Sequence, residues 1–336
     1  MPAASRRHFL RTSLAMAGLG MLSGCVRAPL GGQPAEVPRI GVLSTFSASA
    51  PAAVRYREAF LGGLQDLGYE DGRNIAIDFR YAEGDADRTF AEAADLARVP
   101  VDAIVLSGDA AMAAARRATS TIPIVFALNS APVESGVVAS LSRPGGTITG
   151  LSEITPELSG KRLELLRGAV PHLTRAGVVW SPQYPGPALQ YQELEVAARA
   201  IGQELLPLPV RGPDDLEPAI EAARGRAEGL VVLTGSITNP HAARVAEFVA
   251  RSGLPAIYGE RLFVEAGGLM SYGASVADMW RRATAYVDKI LKGAKPGDLP
   301  VERPDEFEFL INLRAAQAMR LTIPSPLLAQ ATEVIQ

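Results

Sequence analysis

The residues best placed to act on a small molecule are short polar groups that follow aliphatic runs: Ser44 and Thr45; Ser107, Gly108 and Asp109; Asn129 and Ser130; Gln183 and Tyr184; Thr234 and Ser236; and Tyr258. Hydroxyls and amides of this kind suit hydrogen bonding to a ligand. Ser107-Gly108-Asp109 opens a helical pattern containing Met112 and Arg116, and the free N–H groups of such a helix start could hold a carboxylate beside the Ser107 hydroxyl. Asp109 also fits the N-cap of that helix. Tyr184 could cover an apolar ligand face while its hydroxyl makes a hydrogen bond.

Bond-making chemistry finds no comparable set of residues. The chain has no HExxH, CxxC or His/Cys cluster, no GxxxxGK[ST] loop, no GxGxxG after a strand and no GxSxG elbow. His172 and His241 stand alone beside prolines, and His8 lies in the N-terminal segment. Gly145, Gly146 and Gly150 read as a Pro-Gly turn after a helix, the wrong setting for a phosphate. No catalytic residue, metal ligand or cofactor is therefore assigned. An acid/base pair would have to come from Asp109 with Glu260 or Glu265, and no spacing supports it.

The polar groups need a scaffold, and the chain supplies one by alternation. Strand patterns at Ile40–Leu43, Ile75–Phe79, Ala103–Leu106 and Ile122–Phe126 are each followed by helix-like sequence, which predicts parallel βαβ units. After Gly150 the alternation restarts, with helix from about Pro156 to Ala169, strand Ala176–Trp180, helix Ala188–Ile201 and strand Glu204–Leu208. Strand Leu230–Leu233, helix Pro240–Arg251 and strand Ala256–Tyr258 follow. Ser275 with Asp278 resembles a capping box opening a helix that Gly293 ends. A late strand, Phe307–Leu313, and a helix from Arg314 to Met319 close the chain. The fold class is α/β, two Rossmann-like lobes with parallel sheets flanked by helices. Open sheets of this kind place ligands at the carboxyl ends of their strands, where the polar groups recur in both halves.

The N-terminus carries its own chemistry. Ser5-Arg6-Arg7-His8-Phe9-Leu10-Arg11 reads as a twin-arginine export signal ahead of an apolar stretch from about Leu14 to Leu22 that is too short to span a bilayer. Leu22-Ser23-Gly24-Cys25 resembles a lipobox, with Cys25, the only cysteine, as the lipidated residue. Residues 1–24 are then the signal peptide and 25–38 a lipid-anchored tether. Removal of Arg6, Arg7 and Arg11 leaves 30 basic against 36 acidic residues, a net charge of −6. With no basic tract, nucleic acid is excluded as a partner.

Longer segments carry a family likeness. Pro38–Leu43, Leu67-Gly68-Tyr69 through Gly72–Ile75, Ala118–Phe126, Leu141–Gly150 and Leu158–Leu166 are similar to the ABC-transporter substrate-binding family whose better-known members take up tryptophan and related aromatic amino acids. Leu254–Tyr258, Gly267–Gly273 and Tyr286–Pro296 continue it. The resemblance implies a periplasmic-binding-protein fold of the first type, in which two lobes close on a small solute. It places lobe 1 at 39–151 plus about 274–303, and lobe 2 at 152–273 plus about 304–336. Hinge crossings are expected near Thr149–Glu153, Ser271–Gly273 and Glu302–Asp305. ABC permease and ATPase subunits are the implied partners, and the receptor is expected to be monomeric.

One departure stands out: Ala131-Pro132-Val133 replaces the Asp-Pro-Val of many relatives. If that Asp holds an α-ammonium group, its loss points away from amino acids and leaves carboxylates, aromatic acids and other small solutes open. A ligand-binding sensor is the alternative function, and an exported enzyme a more distant one. A sugar-responsive transcription factor shares the architecture but would need a DNA-binding module before Arg39, where the export signal stands.

Overall fold

The computed structural model describes residues 37–153 and 155–336, so the export signal, the lipobox with Cys25 and most of the tether lie outside the described residues. Among the described residues no helix is long and apolar enough to cross a membrane.

Strands β1 (Arg39–Ser44), β2 (Ala76–Tyr81), β3 (Ala103–Ser107), β4 (Ile124–Asn129) and β5 (Ile148–Ser152) form one sheet in the order β2-β1-β3-β4-β5. Every pairing in it is parallel. Near-continuous aliphatic runs such as Ile40–Leu43 and Ala103–Leu106 are buried on both faces, as a sheet covered by helices on both sides requires. Helices α1 (Pro51–Asp66), α2 (Ala86–Leu96) and α3 (Asp109–Ala118) make the crossovers.

The second sheet holds β6 (Arg175–Trp180), β7 (Glu204–Pro209), β8 (Gly229–Val232), β9 (Ala256–Tyr258), β10 (Met270–Ala274), β11 (Phe307–Asn312) and β12 (Glu333–Ile335), in the order β12-β11-β10-β9-β8-β6-β7. Its helices are α4 (Thr155–Ala169), α5 (Pro185–Ala200), α6 (Leu216–Glu221), α7 (Ala242–Ser252), α8 (Arg261–Glu265), α10 (Leu313–Ala318) and α11 (Ser325–Leu328). This sheet is mixed rather than wholly parallel, because β10 and β11 pair antiparallel.

The remaining helix, α9 (Val276–Leu291), follows β10 of the second sheet yet packs on α1 and β4 of the first. Its Trp280 stacks on Tyr56 at 6.3 Å and meets Phe60 edge-on at 5.9 Å. The chain thus passes between the lobes after Ser152, after Ala274 and again between Glu302, which bridges to Leu151, and β11.

Three strands escape the sequence pattern. β5 contains Gly150, which composition assigns to a turn, and β10 contains Ser271 and Gly273, which read as a crossing; both are short strands in which backbone ladders supply the order that side chains do not. The crossings follow these strands rather than falling inside them. β12, three residues long, pairs only with β11 and is also tied by the Arg261–Glu333 ion pair. Ser275 is the N-cap of α9, but its side chain makes no capping hydrogen bond, so the capping-box expectation fails there.

Candidate functional site: a polar cavity between the lobes

The carboxyl ends of β1, β3, β4 and β8 converge on a small cavity that opens to solvent. Thr45, Ser107, Gly108, Asp109 and Ser130 line it from the first lobe, and Thr234 and Ser236 from the second, as the sequence pattern places them. Phe46, Leu128 and Val276 add an apolar wall.

The other expected residues fall elsewhere. Tyr184 and Thr45 share an adjoining cavity with Ser236 and His241. Asn129 is buried beneath the site, where its Nδ2 donates to Asp109 Oδ1 at 3.3 Å and its Oδ1 accepts from the Ala131 N–H at 3.2 Å. Ser44 Oγ accepts from the Phe46 N–H at 3.3 Å, shaping the turn after β1. Two expectations are corrected. Gln183, in the turn between β6 and α5, is exposed and donates to the Arg211 carbonyl at 2.9 Å on the outer surface. Tyr258 is fully buried against Phe263, 4.8 Å away, so it belongs to the core of its lobe. Ala131 lines an adjoining cavity with Pro132 and Glu134, which shares Ser130 and Glu153 with the interlobe site.

Composition gave no hint of the site's charged floor. Glu153, after β5, and Glu260, before α8, both line the cavity and are buried, at 1% and 4% exposure. Arg162 of α4 is completely buried beside them. Glu260 accepts from Tyr56 Oη at 3.2 Å and from Asn239 Nδ2. Burial first, and then the Glu153 charge, push the Glu260 carboxyl up to about 8. Burial lowers the Arg162 guanidinium, against the stabilising charges of Glu153 and Glu260. A lone acidic residue in a loop carries no sequence mark, which is why Glu153 passes unnoticed; Glu260 was visible only as a partner for Asp109.

The lobes touch directly across the cleft. Asp109 does not cap its own helix, whose N-cap is Gly108. Its Oδ2 instead accepts from the Gly186 N–H of α5 at 3.0 Å, bringing a carboxylate to the positive end of a helix in the other lobe. Burial raises the Asp109 carboxyl and the Gly186 hydrogen bond opposes that rise. Ser236 Oγ accepts from the Ala110 N–H at 3.1 Å, the same device in reverse.

Closure needs a glycine at 186: a Cβ there would lie 2.6 Å from Asp109 Oδ2 and 2.8 Å from Ser130 Oγ. Gly186→Ala should therefore hold the lobes slightly apart, weakening solute binding by about tenfold through a smaller closed population while the denaturation midpoint of the unliganded protein barely moves. Titration calorimetry and a urea melt on the same variant check both halves.

Residues 39–335 match the family described as ABC transporter substrate binding protein. A Clostridioides difficile tyrosine-binding protein is 28% identical over 269 residues, 80% of this chain and 77% of that one. A Streptococcus pneumoniae ABC domain solved in complex with L-Trp is 26% identical, covers 89% of this chain and 99% of its own, and superimposes with a TM-score of 0.82. A ligand-free, open substrate-binding protein from Clostridium difficile has the same identity and coverage but a TM-score of 0.64. With identity and coverage equal, the difference matches the direct interlobe bonds: the lobes lie closer to the arrangement of the L-Trp complex than to the open one.

Proposed function

The chain belongs to the ABC transporter substrate-binding protein family, a family of solute receptors rather than enzymes, and from that premise we propose that it captures a small organic solute in the interlobe cavity and delivers it to a membrane permease. The observation that carries the reading is the convergence of Ser107, Asp109 and Ser130 from one lobe and Thr234, Ser236 and Asn239 from the other on a single cavity. A ligand touching both lobes favours the closed form and so shifts the population toward the state that docks.

In this reading lobe 1 is 39–151 with about 274–303, lobe 2 is 152–273 with about 304–336, and the receptor acts as a monomer. The twin-arginine signal exports it and a lipid on Cys25 keeps it at the cell envelope, beside the permease and ATPase that supply the free energy. The solute is amino-acid-like or an aromatic or carboxylate compound; the L-Trp complex of one relative and the tyrosine-binding name of another support the first.

Protein beginning at Val26 should show a saturable thermal shift with one class among amino acids, aromatic acids, dicarboxylates, sugars and nucleosides. A solute at 100 times its dissociation constant stabilises the fold by about 2.7 kcal/mol. Turnover of a solute in the same wells without any shift would instead favour an enzyme.

A further inference from the structure

A turn of the first lobe and a helix start of the second meet beside the cleft. Between β2 and α2 the chain passes through Glu83 and Gly84, both left-handed, at φ +55° and +77°. This turn is fixed to the wall of the cavity, where the Glu83 N–H donates to the Phe46 carbonyl at 3.2 Å and the Gly84 N–H to the Thr45 carbonyl at 2.6 Å. His241, the N-cap residue of α7, lays its ring on the turn. A Cβ on Gly84 would stand 2.7 Å from His241 Cε1 and 2.8 Å from Nε2, so only a glycine lets the ring approach. Nε2 is buried there with no hydrogen-bond partner. A neutral imidazole tolerates such a contact, whereas an imidazolium needs an acceptor or water for its second N–H.

The charges around the ring favour the neutral form. Arg244 of α7 and Arg211, in the loop after β7, are cations on its own lobe, and Asp214 is the carboxylate set against them. From the first lobe come Glu83 and Asp85, both already engaged: Glu83 pairs with Arg88 at 3.1 Å and Asp85 accepts from the Arg88 N–H at 2.7 Å. Burial, and then the Arg244 charge, lower the His241 imidazolium, and the Gly84 backbone and Asp214 oppose them only in part. Parting the lobes hydrates the ring and returns it toward the ordinary histidine value of about 6.5. The open form then takes up a proton that the closed form refuses, so closure weakens as pH falls through that value.

Resting on the receptor reading, we propose that His241 on Gly84 is a proton-sensitive latch: the neutral ring lets the lobes close on the solute, and a proton from bulk water parts them and releases it. The latch lies outside the polar cavity and acts on it through the turn bonded to Thr45 and Phe46. Glu260, which Tyr56 reaches across the same cleft, responds with the opposite sign, because its raised carboxyl keeps a proton in the closed form. The contribution of His241 is therefore the difference between the parent and a variant that lacks the imidazole.

The test compares protein beginning at Val26 with its His241→Gln and His241→Arg variants at about pH 5.5 and 7.5, by small-angle X-ray scattering without solute and by calorimetry with L-tryptophan and L-tyrosine. The latch predicts that parent and His241→Gln scatter alike at the higher pH, that the parent is the more open at the lower, and that His241→Arg is open at both. Affinity of the parent relative to His241→Gln should fall about three- to tenfold between the two pH values. Coincident scattering of parent and His241→Gln at both, or a closed His241→Arg, overturns the latch. The unaltered protein gives a readout free of any folding defect, because it retains two histidines, His172 and His241, whose ring protons nuclear magnetic resonance follows through the titration. A His241 midpoint below about 6.5 supports the latch and one at or above it overturns it. If neither amino acid binds, scattering and the ring titration still decide the latch, while the receptor reading stands or falls with the broader solute panel.

Discussion

Arg162→Met should destabilise the protein by about 3–5 kcal/mol, because removing one partner of a buried ionic cluster strands the charges left behind. Arg162 is wholly buried, donates through Nε to the Tyr272 carbonyl at 2.7 Å, and is the cation set beside the buried carboxyls of Glu153 and Glu260, the second of which keeps most of its proton at pH 7. Its planar head lies in a slot that only glycines permit: a Cβ on Gly259 would sit 3.1 Å from the guanidinium, and one on Gly273 would sit 1.8 Å from the Gly259 carbonyl oxygen. A lysine keeps the charge but lacks the flat fork, so Arg162→Lys should recover only part of the loss. Urea denaturation at pH 7 measures both. An unchanged midpoint for the methionine variant would show that the two carboxyls need no buried cation.

The second large effect has the opposite sign. The Glu260 carboxyl stands at about 8 in the folded protein, against an ordinary carboxyl value near 4.3 in the unfolded chain. Between those two values the folded state retains a proton that the unfolded state has released, so stability is lost as pH rises through the window. Below the lower value both states are protonated and nothing is lost. Glu260→Gln removes the titration while keeping an acceptor for Tyr56 Oη. The variant should match the parent near pH 4 and exceed it at pH 8.5 by on the order of 2–4 kcal/mol. Denaturation midpoints at the two pH values decide it, and parallel pH profiles for the two proteins would contradict the raised carboxyl.

How far the sequence reaches depends on what kind of signal each residue leaves. The aliphatic runs of β1, β3, β6 and β8 announce themselves, and since ligands gather at the carboxyl ends of parallel strands, Thr45, Ser107, Ser130, Thr234 and Ser236 follow from topology. β5 and β10 do not announce themselves, since Gly150 and Gly273 are read as turn residues until pairing partners are known. Gln183 and Tyr258 obey the strand-end rule yet miss the cavity, because the rule fixes a residue's place along the strand and not the direction of its side chain. Glu153, Arg162 and Glu260 lie more than a hundred residues apart at the extremes and meet only through folding of the second lobe, so no local spacing joins them. The likeness of Leu158–Leu166 to the family marked the segment around Arg162 without showing what the side chain does.

The most direct test of solute capture between the lobes is a calorimetric titration of the solute panel into the parent protein and into Ser107→Phe, whose ring would fill the cavity from the first lobe. Binding of one solute class at one per chain by the parent, and its loss in a Ser107→Phe variant with an unchanged circular dichroism spectrum, is the expected result. Binding of equal strength in both proteins would place the solute elsewhere and contradict the interlobe site.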